Sequence, residues 1–100
     1  MSTKVHNNIA EKRYELTLED GQKAILDYRL EGQRIIFTHA EVPPQWEGRG
    51  IGSQLVKMAL DDARQQGLQV QALCSFVRAY IARHPEYHDI AIGFGAKSTE

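Results

Sequence analysis

One hundred residues, 42% of them apolar and 25% charged, have the size and composition of one ordinary globular domain. The formal net charge of −1 argues against a nucleic-acid or membrane surface, and no apolar run approaches the ~18 residues that span a bilayer. Cys74 is the only cysteine, which excludes an internal disulfide and leads us to expect a cytoplasmic protein.

Three short segments of alternating polarity predict an antiparallel β-meander. Residues 12–18 alternate apolar and polar side chains, and the Asp-Gly pair at 20–21 marks a turn. Residues 24–30 repeat the alternation, and a second turn falls at 31–33. Residues 34–42 are rich in β-branched and aromatic side chains and form the third predicted strand. Connections this short join antiparallel neighbours.

Helical periodicity replaces the strand pattern in the second half of the chain. The Pro-Pro pair at 43–44 ends the third strand, because proline offers no N–H to a β-ladder. From Ser53 an apolar stripe predicts a helix, which Gly67 ends in the left-handed capping position. The stripe consists of Leu55, Val56, Ala59, Leu60 and Ala63. A short strand over 68–73 and a helix from Ser75 to about Arg83 follow, and the latter is stopped by a His-Pro pair.

The predicted order β-β-β-α-β-α belongs to the mixed α/β class, with one antiparallel meander and one parallel strand pair. We expect a single domain over residues 1–88 and a tail over residues 89–100. In the tail, Ile90, Ile92 and Phe94 alternate as an edge strand would, and residues 96–100 are expected to be disordered.

The glycine-rich loop WEGRGIGS, residues 46–53, is the most informative stretch of the sequence. The first N–H groups of a helix have no intrahelical partner, so a glycine loop that leads into a helix predicts an anion site, most often for pyrophosphate. The crossover over residues 34–74 should make its two strands parallel neighbours. Val42 and Cys74 end those strands, at the edge where such sheets bind ligands.

Two familiar phosphate motifs do not fit this loop. A P-loop requires a lysine directly after its last glycine, and Ser53 follows Gly52 here. The dinucleotide fingerprint Gly-x-Gly-x-x-Gly would require a glycine at position 53 and a parallel strand before the loop. The predicted antiparallel meander therefore makes that interpretation weak.

The loop and its preceding strand resemble the acetyl-CoA loop of the GNAT (GCN5-related) N-acetyltransferases. The family pattern is Gln/Arg-x-x-Gly-x-Gly/Ala, between the end of a strand and the start of a helix. Gly50 and Gly52 match the pattern, whereas Glu47 stands where Gln or Arg is usual. His39 in the strand before the loop and Cys74 at the end of the next strand are similar to positions of a minimal GNAT subfamily, which keeps only the acetyl-CoA half of the fold.

The resemblance implies a truncated GNAT-like fold and transfer of an acetyl group from acetyl-CoA to an amine. By resemblance, the two parallel strands splay, the pantetheine arm of CoA fills the gap, and the loop N–H groups hold the pyrophosphate. The residues implied in binding are Val42, Glu47, Gly48, Arg49, Gly50, Ile51, Gly52, Ser53 and Tyr80. Tyr80 is an acid/base or cofactor-contact candidate, because larger members use a tyrosine of the last helix.

Cys74 and His39 are the catalytic candidates. Three interpretations of Cys74 are open: a small buried apolar side chain, a nucleophile, or a proton donor to the departing CoA thiolate. His39 is either structural or the base for an incoming ammonium group, and simple alternation places it on the face of Ile35 and Phe37. His84, His88 and Cys74 lack a closed four-ligand set, so we predict no metal site.

A second hypothesis is a non-catalytic module that binds CoA or acetyl-CoA as a regulatory or adaptor subunit. Both hypotheses leave the acceptor unnamed, either a small molecule or a protein, because the chain has no room for the substrate half of a full GNAT domain. We therefore expect an acceptor site that is open or is completed by a second copy or a partner.

Overall fold

The computed structural model of the chain describes residues 5–94, in which two helices cover one face of a five-stranded sheet. The elements are β1 (Val5–Asn8), β2 (Arg13–Thr17), β3 (Lys23–Glu31), β4 (Arg34–Glu41), α1 (Ile51–Gln65), β5 (Gln69–Ala72) and α2 (Ser75–Arg83). Short 3₁₀ turns occupy Pro44–Trp46 and Pro85–Tyr87. The predicted disordered segment, residues 96–100, lies outside the described residues. Neither helix of residues 5–94 is long and apolar enough to cross a membrane.

The sheet confirms the mixed α/β class and adds a strand that the sequence did not predict. Strands β1 to β4 form an antiparallel meander, and β4 pairs with β5 in parallel, from Arg34 opposite Gln69 to Phe37 opposite Ala72. The added strand is β1, which pairs Val5 with Leu16. Its sequence VHNN is short and polar, so it carries no strand pattern of its own.

The core lies between the sheet and the helices. The predicted apolar stripe of α1 is buried in full, together with Ile51, the first residue of the helix. It packs on sheet residues such as Leu16, Leu26 and Phe37, which are completely enclosed. Burial of each such side chain contributes roughly 1.5–3 kcal/mol of transfer free energy, so this face fixes the position of α1.

A β-bulge in β4 reverses the direction of the side chains near the strand end. Phe37 lies opposite Tyr28 and His39 lies opposite Asp27, which leaves Thr38 as an extra residue. Residues after the bulge therefore change faces: Ala40 packs against the core, whereas His39 lies on the outer face of the sheet, away from the helices. The expectation that His39 shares the face of Phe37 is wrong, because alternation alone cannot reveal a bulge.

The C-terminal part of the described chain returns to the sheet edge. An isolated parallel bridge joins Ala91 to Val70, where alternation had predicted an edge strand. The Val70 N–H donates to the Ile90 carbonyl at 2.8 Å, and the Ile92 N–H donates to the Val70 carbonyl at the same distance. Ala91 is 1% exposed and belongs to the core.

Candidate functional site

Strands β4 and β5 separate at their carboxyl ends. The N–H groups of Leu73 and Cys74 both donate to the carbonyl of Phe37, at 2.9 and 3.3 Å, and the parallel pairing ends there. β4 continues to Glu41 and pairs only with β3 over this last part. Because the chain turns into α2 at Cys74, a gap opens beside the last four residues of β4.

The glycine loop brings backbone N–H groups to this gap. Gly48 and Gly50 have φ values of +81° and +78°, in the left-handed region that side chains disfavour. Gly50 is the N-cap residue of α1; it makes no side-chain cap, and no acidic residue occupies the first turn. The helix N-terminus thus presents its first N–H groups and the positive end of its dipole without a competing carboxylate from that turn.

A cavity of about 490 Å³ lies between the loop, the end of β4 and the start of α2. Its volume is in the range of small-molecule sites. The cavity has an apolar side and a side formed by the loop. Its lining residues are Ala40, Val42, Trp46, Glu47, Gly48, Gly50, Ile51, Gly52, Ser53 and Phe76.

Gly52 has a different structural role from the two left-handed glycines. A Cβ atom at Gly52 would lie 2.7 Å from Cζ of Phe76, which is closer than real side chains approach. The aromatic ring at the start of α2 therefore packs directly against the first turn of α1. A side chain at position 52 would therefore have to displace the ring of Phe76.

The indole of Trp46 connects the loop to a distant turn. Its Nε1–H donates to Oδ2 of Asp20 at 2.9 Å, and the guanidinium of Arg49 lies over the ring, 4.8 Å from its centroid. The hydrogen bond from Trp46 is the main reason that the pKa of the Asp20 carboxyl is lower than usual. Arg49 does not line the cavity, but its cation is held beside a residue that does.

Cys74 is the N-cap residue of α2 and lies partly buried against the core. Its carbonyl accepts the first hydrogen bond of the helix, from Arg78 N–H at 3.0 Å, and its side chain makes no cap. Cys74 does not line the cavity but lies two residues before Phe76, which does. The thiol is therefore held where the two strands part.

His39 and Tyr80 lie away from the cavity wall. The His39 side chain is 58% exposed on the outer face, with Nε2 at 3.5 Å from Oε1 of Glu41. Tyr80 is 4% exposed, and its ring stacks on His84 with centroids 3.8 Å apart. Burial raises the pKa of the Tyr80 hydroxyl above its ordinary value. In residues 5–94 no group of three or more histidine, cysteine or acidic residues is arranged to hold a metal ion.

Seven of the nine predicted binding residues line one cavity; the exceptions are Arg49 and Tyr80. Three further lining residues, Ala40, Trp46 and Phe76, were not predicted as binding residues. Ala40 lines the cavity only because the bulge reverses the direction of the side chains that follow it. The two aromatic lining residues have a weak sequence signal, since Trp46 adjoins the glycine motif and Phe76 lies two residues after the strand-ending Cys74.

Known proteins match this chain both in sequence and in structure. Residues 13–90 match the sequence model of the family described as GCN5-related N-acetyl-transferase. The chain is 36% identical over 64 residues to protein NATD1 of Gallus gallus and Mus musculus, a match that covers 63% of the chain and 58% of each relative. The match thus spans less than two thirds of those relatives. A GCN5-like protein from Staphylococcus aureus, solved by NMR, superimposes with a TM-score of 0.72 at 25% identity, covering 90% of this chain and 88% of that one.

Proposed function

Because the chain belongs to the GCN5-related N-acetyltransferase family, we propose that it transfers the acetyl group of acetyl-CoA to an amine. The observation that carries this proposal is the cavity at the parting of β4 and β5, which joins an uncapped helix N-terminus to an apolar wall. A ligand with an anionic end and a long, weakly polar arm fits that combination. CoA thioesters have both parts.

The residues present suit each part of acetyl-CoA. The N–H groups at the start of α1 suit the pyrophosphate, and the positive φ of Gly50 lets the backbone approach it without a Cβ. The apolar residues Ala40 and Val42 suit the pantetheine arm, which would lie beside the unpaired edge of β4. The thioester would then lie near the strand end, close to Cys74.

The outer face of the sheet is the proposed entry side for the acceptor amine. An ammonium group must lose a proton before its nitrogen attacks the thioester carbonyl, and His39 beside Glu41 offers a base on that face. The attack forms the amide bond and breaks the carbon–sulfur bond. The thiolate that leaves takes a proton, for which Cys74 is the candidate donor, and Cys74 regains a proton from the nitrogen as the amide forms. Neither helix covers this face, so we propose an acceptor site that is open or is completed by a partner or second copy.

The acceptor is proposed to be a small molecule or a protein amine in the cytoplasm. A lone cysteine near the site suits a reducing compartment.

A non-catalytic CoA-binding module is the second candidate, and Glu47 is the observation that favours it. Its carboxylate lines the cavity at the loop, where the family pattern has Gln or Arg. A negative charge beside the pyrophosphate would weaken binding, which suits a sensor that responds to CoA only when CoA is abundant.

Release of free CoA from acetyl-CoA, followed with a thiol reagent, tests the proposal. The full chain is incubated with acetyl-CoA and pools of primary amines, and acetylated products are identified by mass spectrometry. We expect amine-dependent release well above the background of a heat-inactivated sample. Binding of acetyl-CoA without turnover on any amine pool would instead support the binding module.

A further inference from the structure

On the basis of the proposed function, we propose that Phe76 is a specificity residue that binds the apolar pantoyl group of CoA where the arm leaves the pyrophosphate. The pantoyl group carries two methyl groups on one carbon and directly follows the pyrophosphate. Phe76 would thus distinguish CoA and its thioesters from adenine nucleotides that share the same phosphates.

The ring of Phe76 lies at the phosphate end of the cavity. Its Cζ is 2.7 Å from the position of a Cβ on Gly52, and the nearer Cε atom is 3.0 Å away. Gly52 belongs to the first turn of α1, whose N–H groups form the proposed phosphate site. A phosphate bound there would have the ring beside it, at the point where the next group of the ligand begins.

The exposure of Phe76 indicates that it is available to a ligand. Six large apolar side chains of residues 5–94 are exposed; they are Ile9, Leu30, Met58, Leu73, Phe76 and Ile92. Phe76, at 39% exposure, is the member of this group that lines the cavity. Leu73, at 50% exposure and three residues earlier, does not. A ring that lines the same cavity as Ala40 and Val42 would lose water to an apolar ligand group.

Calorimetric titration with two ligands tests the assignment. CoA carries the pantetheine arm, and 3′-phospho-ADP carries the same adenine and phosphates without it. We expect Phe76→Ala to weaken CoA binding roughly tenfold, as expected for loss of contact with two methyl groups. Binding of 3′-phospho-ADP should stay within about twofold of the unaltered protein.

Two further variants make the test independent of folding defects. Phe76→Leu keeps an apolar side chain at the position and should weaken CoA binding less than the alanine variant does. Phe94→Ala removes a phenylalanine that packs on His88 outside the cavity, and it should change neither affinity. Circular dichroism and thermal melting of each variant show whether its fold is kept.

The possible outcomes separate the two proposals. Equal weakening of both ligands, or unchanged CoA affinity in Phe76→Ala and Phe76→Leu, would overturn the role of Phe76 and leave acetyl transfer standing. Absence of CoA binding to the unaltered protein would overturn both. Selective loss of CoA affinity, graded from leucine to alanine, supports the contact with the pantoyl group.

Discussion

The indole Nε1–H of Trp46 donates a hydrogen bond of 2.9 Å to the carboxylate of Asp20, a residue 26 positions earlier in the chain. The bond ties the glycine loop to the turn between β2 and β3. It also fixes the ring over which the Arg49 guanidinium lies. A cation beside the proposed phosphate site is thus held in place by a turn on another part of the sheet.

We expect Trp46→Phe to weaken CoA binding by roughly 3–10-fold, because the ring remains but its hydrogen bond to Asp20 is lost. Asp20→Ala should have a similar effect, and the double variant should be no weaker than either single one. Gln22→Ala is a suitable control, since the Gln22 amide also donates to Asp20 but Gln22 is not part of the loop. Independent, additive effects of the two single variants in calorimetry would contradict the coupling.

Two glycines at the two ends of α1 give a matched test of the loop. Gly50 and Gly67 have φ values of +78° and +72°, and Gly50 lines the cavity whereas Gly67 does not. Alanine at either position should destabilise the fold by about 1–2 kcal/mol through left-handed strain. We expect Gly50→Ala, and not Gly67→Ala, to abolish measurable acetyl-CoA binding. Equal affinities of the two variants would remove the loop from the site.

Substitution of Cys74 should separate stability from transfer. A serine side chain caps a helix N-terminus well, so Cys74→Ser should raise the free energy of unfolding by up to about 1 kcal/mol. The same change should lower acetyl transfer roughly 10²–10⁴-fold with unchanged CoA affinity, as expected for loss of an acid/base group. A labile acetyl adduct on Cys74 in peptide mass spectrometry would identify a nucleophile. Full activity of Cys74→Ala would leave the residue only a packing role.

The outer-face position of His39 predicts a selective effect of its removal. His39→Gln should slow transfer by roughly 10²-fold or more, since the proposed base beside Glu41 is lost. Affinity for CoA should not change, because the cavity lies on the helix side of the sheet. Glu41→Gln serves as the companion variant, and we expect it to lower the steady-state rate less than His39→Gln does. Loss of CoA affinity in His39→Gln, with an unaltered rate at saturation, would contradict the assignment of CoA binding to the helix side of the sheet and of the base to the outer face.

All four tyrosines should make the fold sensitive to alkali. Burial is the largest cause that raises the pKa of each hydroxyl, and hydrogen bonds to Asp62 and Asp61 raise those of Tyr14 and Tyr87 further. The pKa values are higher in the folded than in the unfolded chain, where they are about 10. The stabilisation is therefore complete below pH 10 and declines as the pH rises above it.

Ultraviolet absorbance at 295 nm measures tyrosinate directly, and circular dichroism measures unfolding. We expect tyrosinate to form together with unfolding rather than before it. Tyr14→Phe should change the pH at which the chain unfolds, since the 2.5 Å hydrogen bond from the Tyr14 hydroxyl to Asp62 is lost. Smooth titration of all four tyrosines near pH 10 in a chain that stays folded would contradict the prediction.

Local patterns were sufficient for the main elements and for the glycine loop. The alternation of β2 to β4, the helical stripe of α1 and the crossover to β5 are properties of contiguous residues, and the structure has each of them. The loop residues other than Arg49 line one cavity because they are neighbours along the chain at a helix start. By contrast, β1 has no pattern of its own, since it becomes a strand by pairing with β2.

The sequence by itself determined β2 to β5, both helices and the glycine loop that begins α1, because periodicity and backbone restrictions act between near neighbours. Only the tertiary structure decided which face His39 occupies, since the bulge at Thr38 depends on register against β3. It also decided that Phe76 packs on Gly52, since that contact requires two helix starts to meet in space. Contacts between residues far apart in the chain depend on packing, which no short-range pattern encodes.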